Sequence, residues 1–299
     1  MKILSFGSMN IDNTYSVDEF VQPGETMTAK NLSKFCGGKG LNQSIALASA
    51  GADVAHFGCV GEDGDILLDM LKSRGVNTDS VIKIDNITSG HAIIQVDSHG
   101  QNSILLYPGA NRRMTPELID RELEKYSCGD WLLIQNETNC LEYIMRAANK
   151  KGMKIAFNPS PMDGTVSTLP LELVDLFLVN EIEGAAVTGK EITEEITAEF
   201  EKLFPNAAVI LTLGKKGSIF KSEKDMLFQP SYCGTVKDTT GAGDTYTGFF
   251  IANYINGVSP QECMRIAAMA STVQISRDGA AIAIPTKQEV LNALKNHCR

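Results

Sequence analysis

The sequence predicts an α/β protein with a doubly wound, mostly parallel sheet flanked by helices, and a small second β-layer acting as a lid. Three observations carry that expectation. Apolar runs of strand length recur at 2–7, 54–60, 131–135, 153–157, 175–179 and 207–213. Helical periodicity fills 39–50, 64–74, 115–126, 139–151 and 193–203 between them, and strand alternating with helix implies a parallel sheet covered on both faces. Two segments, 11–36 and 88–107, break the alternation.

The first apolar run ends at Asn10 and Asp12. Both follow a strand at its carboxyl end, where open α/β sheets place ligands, and alternate residues there point the same way. The other role open to them is turn capping. In the second breaking segment, Ala92–Val96 and Ser103–Tyr107 flank Ser98-His99-Gly100-Gln101 as a hairpin would. Such a layer can serve as a lid or a dimerisation surface, or it can extend an edge of the main sheet. Among the helices, Ala50-Gly51 and Arg74-Gly75 set Gly where a left-handed C-terminal cap belongs, and Thr115-Pro116-Glu117 sets Pro at a first helical position. Beyond Gly243 the chain turns almost wholly helical, at 245–257, 260–275 and 286–297.

At 299 residues the chain has the length for one large domain or two ordinary ones. No Pro- or Ser-rich linker divides it, so one unit over residues 1–299 is expected. The net charge of -9, with Lys and Arg scattered, argues against nucleic acid or a membrane surface as the partner. A polyanionic substrate must then be held by backbone amides, helix termini, a metal ion or one placed Lys. The seven cysteines (36, 59, 128, 140, 233, 263 and 298) include no C-x-x-C pair. They suggest reduced thiols in a cytoplasmic protein rather than a disulfide framework or zinc site. The opening apolar run stops too soon for a signal peptide, and no other stretch reaches the roughly 18 apolar residues of a membrane span.

Two glycine-rich sites stand out, and neither is a familiar nucleotide motif. Around Gly38-Lys39 a P-loop needs Gly and Ser or Thr where the chain has Ser33 and Gly40. After Gly241-Ala242-Gly243, Tyr246 stands where a dinucleotide fingerprint needs its third Gly. What Gly241-Ala242-Gly243-Asp244 offers is a turn without bulky side chains opening an apolar helix, hence free amides and the positive end of a helix dipole. A carboxylate there suits phosphoryl transfer, where a base must sit beside the place at which negative charge collects. Alone, Asp244 is equally a first-turn acid favoured by the dipole.

Gly37 to Gln43 likewise opens a helix, with Lys39 and Asn42 three apart on one face. It suits a sugar's hydroxyl cluster, or is a glycine turn with a solvated Lys. Asn180 and Glu183 follow the strand 175–179 and can together hold a metal-bound water, or simply cap a helix. Thr212 to Gly217 ends another strand in a loop whose backbone can approach a nucleotide. His56, His91, His99 and His297 show no ligand spacing.

The order and spacing of these sites closely resemble the ribokinase family of carbohydrate kinases, also called the PfkB family. The likeness spans Gly7 to Asp12, Gly37 to Gln43, Pro108-Gly109-Ala110-Asn111, Asn180 to Glu183, Thr212-Leu213-Gly214 and Asp238 to Asp244. It implies ATP-dependent transfer of the γ-phosphoryl group to a sugar's primary hydroxyl, with ribose first among candidates and a ketohexose or nucleoside kinase as rival. A sugar-binding regulator without catalysis is the rival from another class. By resemblance, Asp244 is the base and the amides of Gly241, Ala242 and Gly243 stabilise the moving phosphoryl group. Asn10, Asp12, Gly38, Lys39, Asn42 and Glu137 hold the sugar. Asn180 and Glu183 serve the Mg²⁺-phosphate region, and Thr212, Gly214 and Gly217 line the ATP site. The resemblance also implies lids that pair into a homodimer. It implies a K⁺-type monovalent-cation site drawing on Asp238, Thr240, Gln274, Arg277 and Gly279, largely through backbone carbonyls. Departures are Ala283 in place of a Ser at that site, and Asn136, Asn139 and His91 on the sugar side.

Overall fold

The structure is a computed structural model and describes residues 1–297. In chain order the strands and helices are β1 (Ile3–Phe6), β2 (Asn10–Ser16), β3 (Asn31–Gly37), α1 (Lys39–Ser49), β4 (Val54–Val60), α2 (Asp65–Ser73), β5 (Val81–Lys83), β6 (Gly90–Val96), β7 (Asn102–Tyr107), α3 (Pro116–Leu123), β8 (Trp131–Gln135), α4 (Leu141–Lys150), β9 (Lys154–Asn158) and β10 (Leu176–Asn180). Then come α5 (Glu181–Thr188), α6 (Thr193–Leu203), β11 (Ala208–Thr212), β12 (Ser218–Lys221), β13 (Met226–Gln229), α7 (Ala242–Tyr254), α8 (Pro260–Gln274) and α9 (Lys287–His297).

Nine strands form the main sheet in the order β13-β12-β11-β10-β9-β8-β1-β4-β5. All pair in parallel except β12 and β13, which close one edge as an antiparallel hairpin. The six apolar runs read from the sequence are all in this sheet. Their side chains alternate between two cores, so both faces are buried. Ile3, Leu133, Ala156, Leu178 and Ile210 face the core under α1, α7, α8 and α9. Leu4, Ile134, Phe157, Val179 and Leu211 face the one shared with α3, α4 and α6.

The two breaking segments supply a separate four-stranded sheet, β3-β2-β6-β7, rather than an edge of the main one. Here β2 pairs in parallel with β6 and antiparallel with β3. Successive apolar residues on β7, Ile104 to Tyr107, are all exposed.

Helix α7 begins at Ala242, three residues ahead of the apolar stretch that signalled it, because the turn of small residues is already helical. It packs on α1 at closest approach: a Cβ added at Gly248 would lie 2.4 Å from Ala46 Cβ and 2.7 Å from the Leu47 amide nitrogen. Phe249 and Phe250 beside it are fully buried. This contact sets the amino ends of the two helices side by side.

Cys36, Cys59, Cys128, Cys140, Cys233 and Cys263 are free thiols; Cys298 lies outside the described residues. Among the described residues no helix is long and apolar enough to cross a membrane.

Candidate active site

The carboxyl ends of neighbouring strands deliver Gln135 and Asn158, paired across β8 and β9, and Asn180 and Thr212, paired across β10 and β11. Over them stand the first turns of α1 and α7, preceded by Gly38 at φ 93° and Gly241 at φ 77°. Both turns need a backbone conformation that glycine adopts without steric cost. Two helix amino ends thus meet above the sheet, and their dipoles favour negative charge between them.

Asp244, in the first turn of α7, is buried and fixed by two carboxamides of α1. Asn42 Nδ2 donates to Oδ2 at 3.0 Å, and Gln43 Nε2 donates to Oδ1 at 2.9 Å. Gln43 also donates to Asn158 Oδ1 at 3.1 Å and accepts from Gln135 Nε2 at 2.8 Å. Asn158 Nδ2 in turn donates to the Leu178 carbonyl at 2.8 Å. The network fixes the carboxylate's direction, and the Asn42 Oδ1 acceptor has no donor among the described residues.

Of the three amides expected at the anion hole, that of Ala242 donates to the Thr239 carbonyl at 3.2 Å, closing the turn. The set is thereby narrowed: the Gly241 and Gly243 amides have no acceptor among the described residues. A cleft of about 250 Å³ runs from Lys39 and Asp244 past Gly243 to Glu183 and Thr212.

On the lid side, Asn10 and Asp12 alternate along β2 rather than ending β1. Asn10 Oδ1 accepts from Asn111 Nδ2 at 2.8 Å, and Asn111 also pairs with both backbone groups of Met9. Gly90 leaves room for this pair, since a Cβ there would lie 2.2 Å from Asn10 Oδ1. The Asp12 carboxylate lies over Gly37, where a Cβ would come within 2.1 Å of Oδ2. Burial, reinforced by the charge of Glu137, pushes the Asp12 carboxyl up to about 6. Glu137 Oε2 accepts from the Lys39 amide at 3.0 Å and from the Ser8 hydroxyl. Burial favours a neutral Lys39, but the charges of Asp244, Glu137 and Glu183 outweigh it and hold the ammonium above its ordinary value. Those carboxylates offset the cost of a cation at a helix amino end.

Asn180 and Glu183 form the helix cap and line the cleft, so the two readings open in the sequence are compatible. Asn180 Oδ1 accepts from the Glu183 amide at 2.8 Å, and Glu183 Oε2 accepts from the Asn180 amide at 3.0 Å. The cap fixes a buried carboxylate at the cleft wall. Among the described residues no group of three or more His, Cys, Asp or Glu could hold a metal by itself. The single carboxylate of Glu183 at the cleft wall is the kind of donor that Mg²⁺ takes when waters and phosphate oxygens complete its shell. Thr212 lines the cleft, whereas Gly214 and Gly217 stand outside its wall in the following turn, and a Cβ at Gly217 would meet the Gln229 carbonyl at 2.1 Å.

Of the five residues expected around a monovalent cation, Asp238, Thr240, Gln274 and Gly279 are joined by hydrogen bonds, whereas the Arg277 side chain turns away from them. Asp238 accepts from the Thr240 amide at 2.9 Å, the Thr240 hydroxyl at 2.6 Å and the Gly279 amide at 3.0 Å. The carbonyls of Thr240, Gly279 and Ala280, however, already receive the side-chain amide of Gln274, at 3.0, 3.1 and 3.0 Å. Arg277 reaches Glu289 at 2.5 Å and the Ala283 carbonyl at 3.5 Å.

The chain that builds this arrangement matches a known family over nearly its whole length. The model of the pfkB family of carbohydrate kinases aligns with residues 1–287. The chain belongs to that family. It is therefore a phosphotransferase acting on an alcohol group. It is 33% identical to a ribokinase of Haemophilus influenzae over 97% of both chains. Among solved structures, ribokinase from Thermotoga maritima superimposes with a TM-score of 0.88 at 32% identity, covering 98% of this chain and 99% of that one. Arabidopsis thaliana ribokinase complexed with ribose and ATP gives 0.86 at 29% identity, covering 98% of each.

Sequence reasoning named Gln43 and Asn111 within motifs but gave them no role, and passed over Asn158 and Gln135; Gln43, Asn111 and Asn158 touch site residues, and Gln135 supports Gln43. Gln43 carried a signal: Asn42-Gln43-Ser44 is a polar triplet followed by an apolar run to Ala48, and all three are buried. On the sugar side, Asn139 is a backbone clamp, donating to the Met114 carbonyl at 2.8 Å and accepting from its amide at 3.2 Å. His91 packs on Tyr107 with ring centroids 5.0 Å apart.

Proposed function

We propose that this pfkB-family protein is an ATP-dependent kinase that phosphorylates the primary hydroxyl of D-ribose, giving ribose 5-phosphate. The supporting observation is the fixed Asp244 carboxylate in a cleft that carries free amides, with Lys39 at its wall joined through its own amide to Glu137, whose charge acts on the lid residue Asp12. The ribokinase named as complexed with ribose and ATP shares this fold over nearly the full length.

In this reading Asn10, Asp12, Gly38, Lys39, Asn42 and Glu137 hold the sugar's hydroxyls under the four-stranded lid. The closed lid keeps out water, which would otherwise accept the phosphate. Asp244 takes the proton from the primary hydroxyl as its oxygen bonds to the γ-phosphorus and the bond to the ADP oxygen breaks. The amides of Gly241 and Gly243, with the α7 dipole behind them, receive the charge that spreads over the equatorial phosphoryl oxygens. Lys39 neutralises charge between sugar and phosphate. Thr212 faces the nucleotide, and Asn180 and Glu183 hold water ligands of Mg²⁺. Bound there, Mg²⁺ would offset the charge of the phosphates.

The rest of the reading follows from the same features. One unit over 1–299 works in the cytoplasm, where its free thiols stay reduced. The exposed apolar strand β7 pairs with a second copy, making a homodimer through the lid.

A panel of pentoses, ketohexoses and nucleosides assayed with Mg-ATP tests the substrate. D-ribose is expected to reach a kcat/KM of about 10⁴ M⁻¹s⁻¹ or more and to lead the panel. A ketohexose or nucleoside exceeding it tenfold would refute ribose as the substrate.

A further inference from the structure

Gln274 is the last residue of α8 and is fully buried. Three backbone carbonyl oxygens, from Thr240, Gly279 and Ala280, point at its Nε2 from 3.0 to 3.1 Å. Oxygens gathered on one point repel one another unless something positive lies between them. A carboxamide nitrogen has two protons to share among these three acceptors. The nitrogen and a cation coordinated by the same carbonyls exclude each other.

The amide's orientation follows from its surroundings. Gln274 Oε1 is buried with no donor among the described residues, and turning the group over would set that oxygen against three carbonyls. The nitrogen also underlies the anion hole: a Cβ added at Gly241 would lie 3.4 Å from it. Asp238 braces the outer side of the same loops through Thr240 and Gly279.

We propose that the Gln274 side-chain amide stands in for a monovalent cation behind the anion hole, tying the Thr240, Gly279 and Ala280 carbonyls so that the enzyme needs no such activator. Gln274 is a positioning residue. It brings no net charge to the phosphoryl group, but fixes the loops that set the Gly241 and Gly243 amides. The inference rests on the kinase reading given above.

The test compares Mg-ATP turnover in K⁺ with turnover in tetramethylammonium at constant ionic strength, alongside thermal melts in the two salts. For the native protein, kcat is expected to change less than about twofold and Tm to stay the same, since no added cation binds the folded state. Gln274→Ala is expected to lose about tenfold or more in kcat without K⁺, and to regain both kcat and Tm when K⁺ fills the vacated place. Strong K⁺ stimulation of the native enzyme, or a K⁺-dependent rise in its Tm, would overturn the proposal. So would a Gln274→Ala variant fully active without K⁺. If that variant fails to fold, the native comparison alone decides. Absence of phosphorylation in both salts would count against the kinase reading, and the melts would still test the cation.

Discussion

Gln43 and Asp244 are 201 positions apart in the chain, yet the Gln43 side-chain amide meets Asp244 Oδ1 at 2.9 Å while also holding Asn158. One buried carboxamide thus orients the base and links it to the strand ends beneath. Gln43→Leu should lower kcat about tenfold or more through misplacement of the carboxylate, with little change in the sugar's KM. Unpaired Gln135 and Asn158 should also cost about 1–3 kcal/mol of stability. Steady-state kinetics and urea unfolding measure both.

Asp12 makes the pH dependence predictable in sign. Burial and Glu137 lift its carboxyl to about 6 from the ordinary 3.8. The folded protein therefore binds this proton more readily than the unfolded chain, and stability falls as pH rises from about 4 to about 6. Asp12→Asn should raise the Tm of the sugar-free protein at pH 7.5, with the gain vanishing toward pH 4. The same variant should raise the sugar's KM about tenfold or more, because hydrogen bonds to a carboxylate are lost. In the native enzyme, KM should climb as pH falls below about 6.

Gly248 controls how closely α7 approaches α1. Gly248→Ala places a methyl 2.4 Å from Ala46 Cβ, so the helices must separate, at a cost of about 1–3 kcal/mol. Because Asn42 and Asp244 ride on those helices, kcat should fall as well. Urea unfolding with parallel kinetics tests the coupling; a destabilised variant of unchanged kcat would show that the two helix ends are positioned otherwise.

Ile104 and Leu105 on β7 are 58% and 67% exposed. If the lid pairs with a second copy, Leu105→Glu should shift sedimentation from dimer to monomer. A monomeric native protein would remove the homodimer from the functional reading.

Much of this was legible in the sequence because it depends on local pattern. Apolar runs fixed the main strands to within about two residues, and Gly-rich starts marked α1 and α7, since a left-handed turn and close helix packing both call for small residues. The β12–β13 hairpin and the short β5 went unseen, and α5 was read only as a helix start at Asn180, being brief elements with weak periodicity. The roles of Gln43, Asn111 and Asn158 were not legible for a different reason. Their roles arise from contacts across roughly a hundred residues or more, and carboxamides on a buried helix or at a strand end look like ordinary polar punctuation. Gln274 was grouped with Thr240 and Gly279 by resemblance, but as part of a cation site; that its own side-chain amide takes their carbonyls is a three-dimensional fact the sequence does not reveal.

Asp244 as the base is tested most directly by Asp244→Asn, which keeps the shape and removes the proton acceptor. The measurement is kcat for sugar phosphorylation, with ATP affinity determined by calorimetry on the same preparation. A fall of about 10²-fold or more in kcat with ATP binding and Tm preserved is the expected result. Turnover within about fivefold of the native enzyme would contradict it, since that is far less than removal of a general base costs.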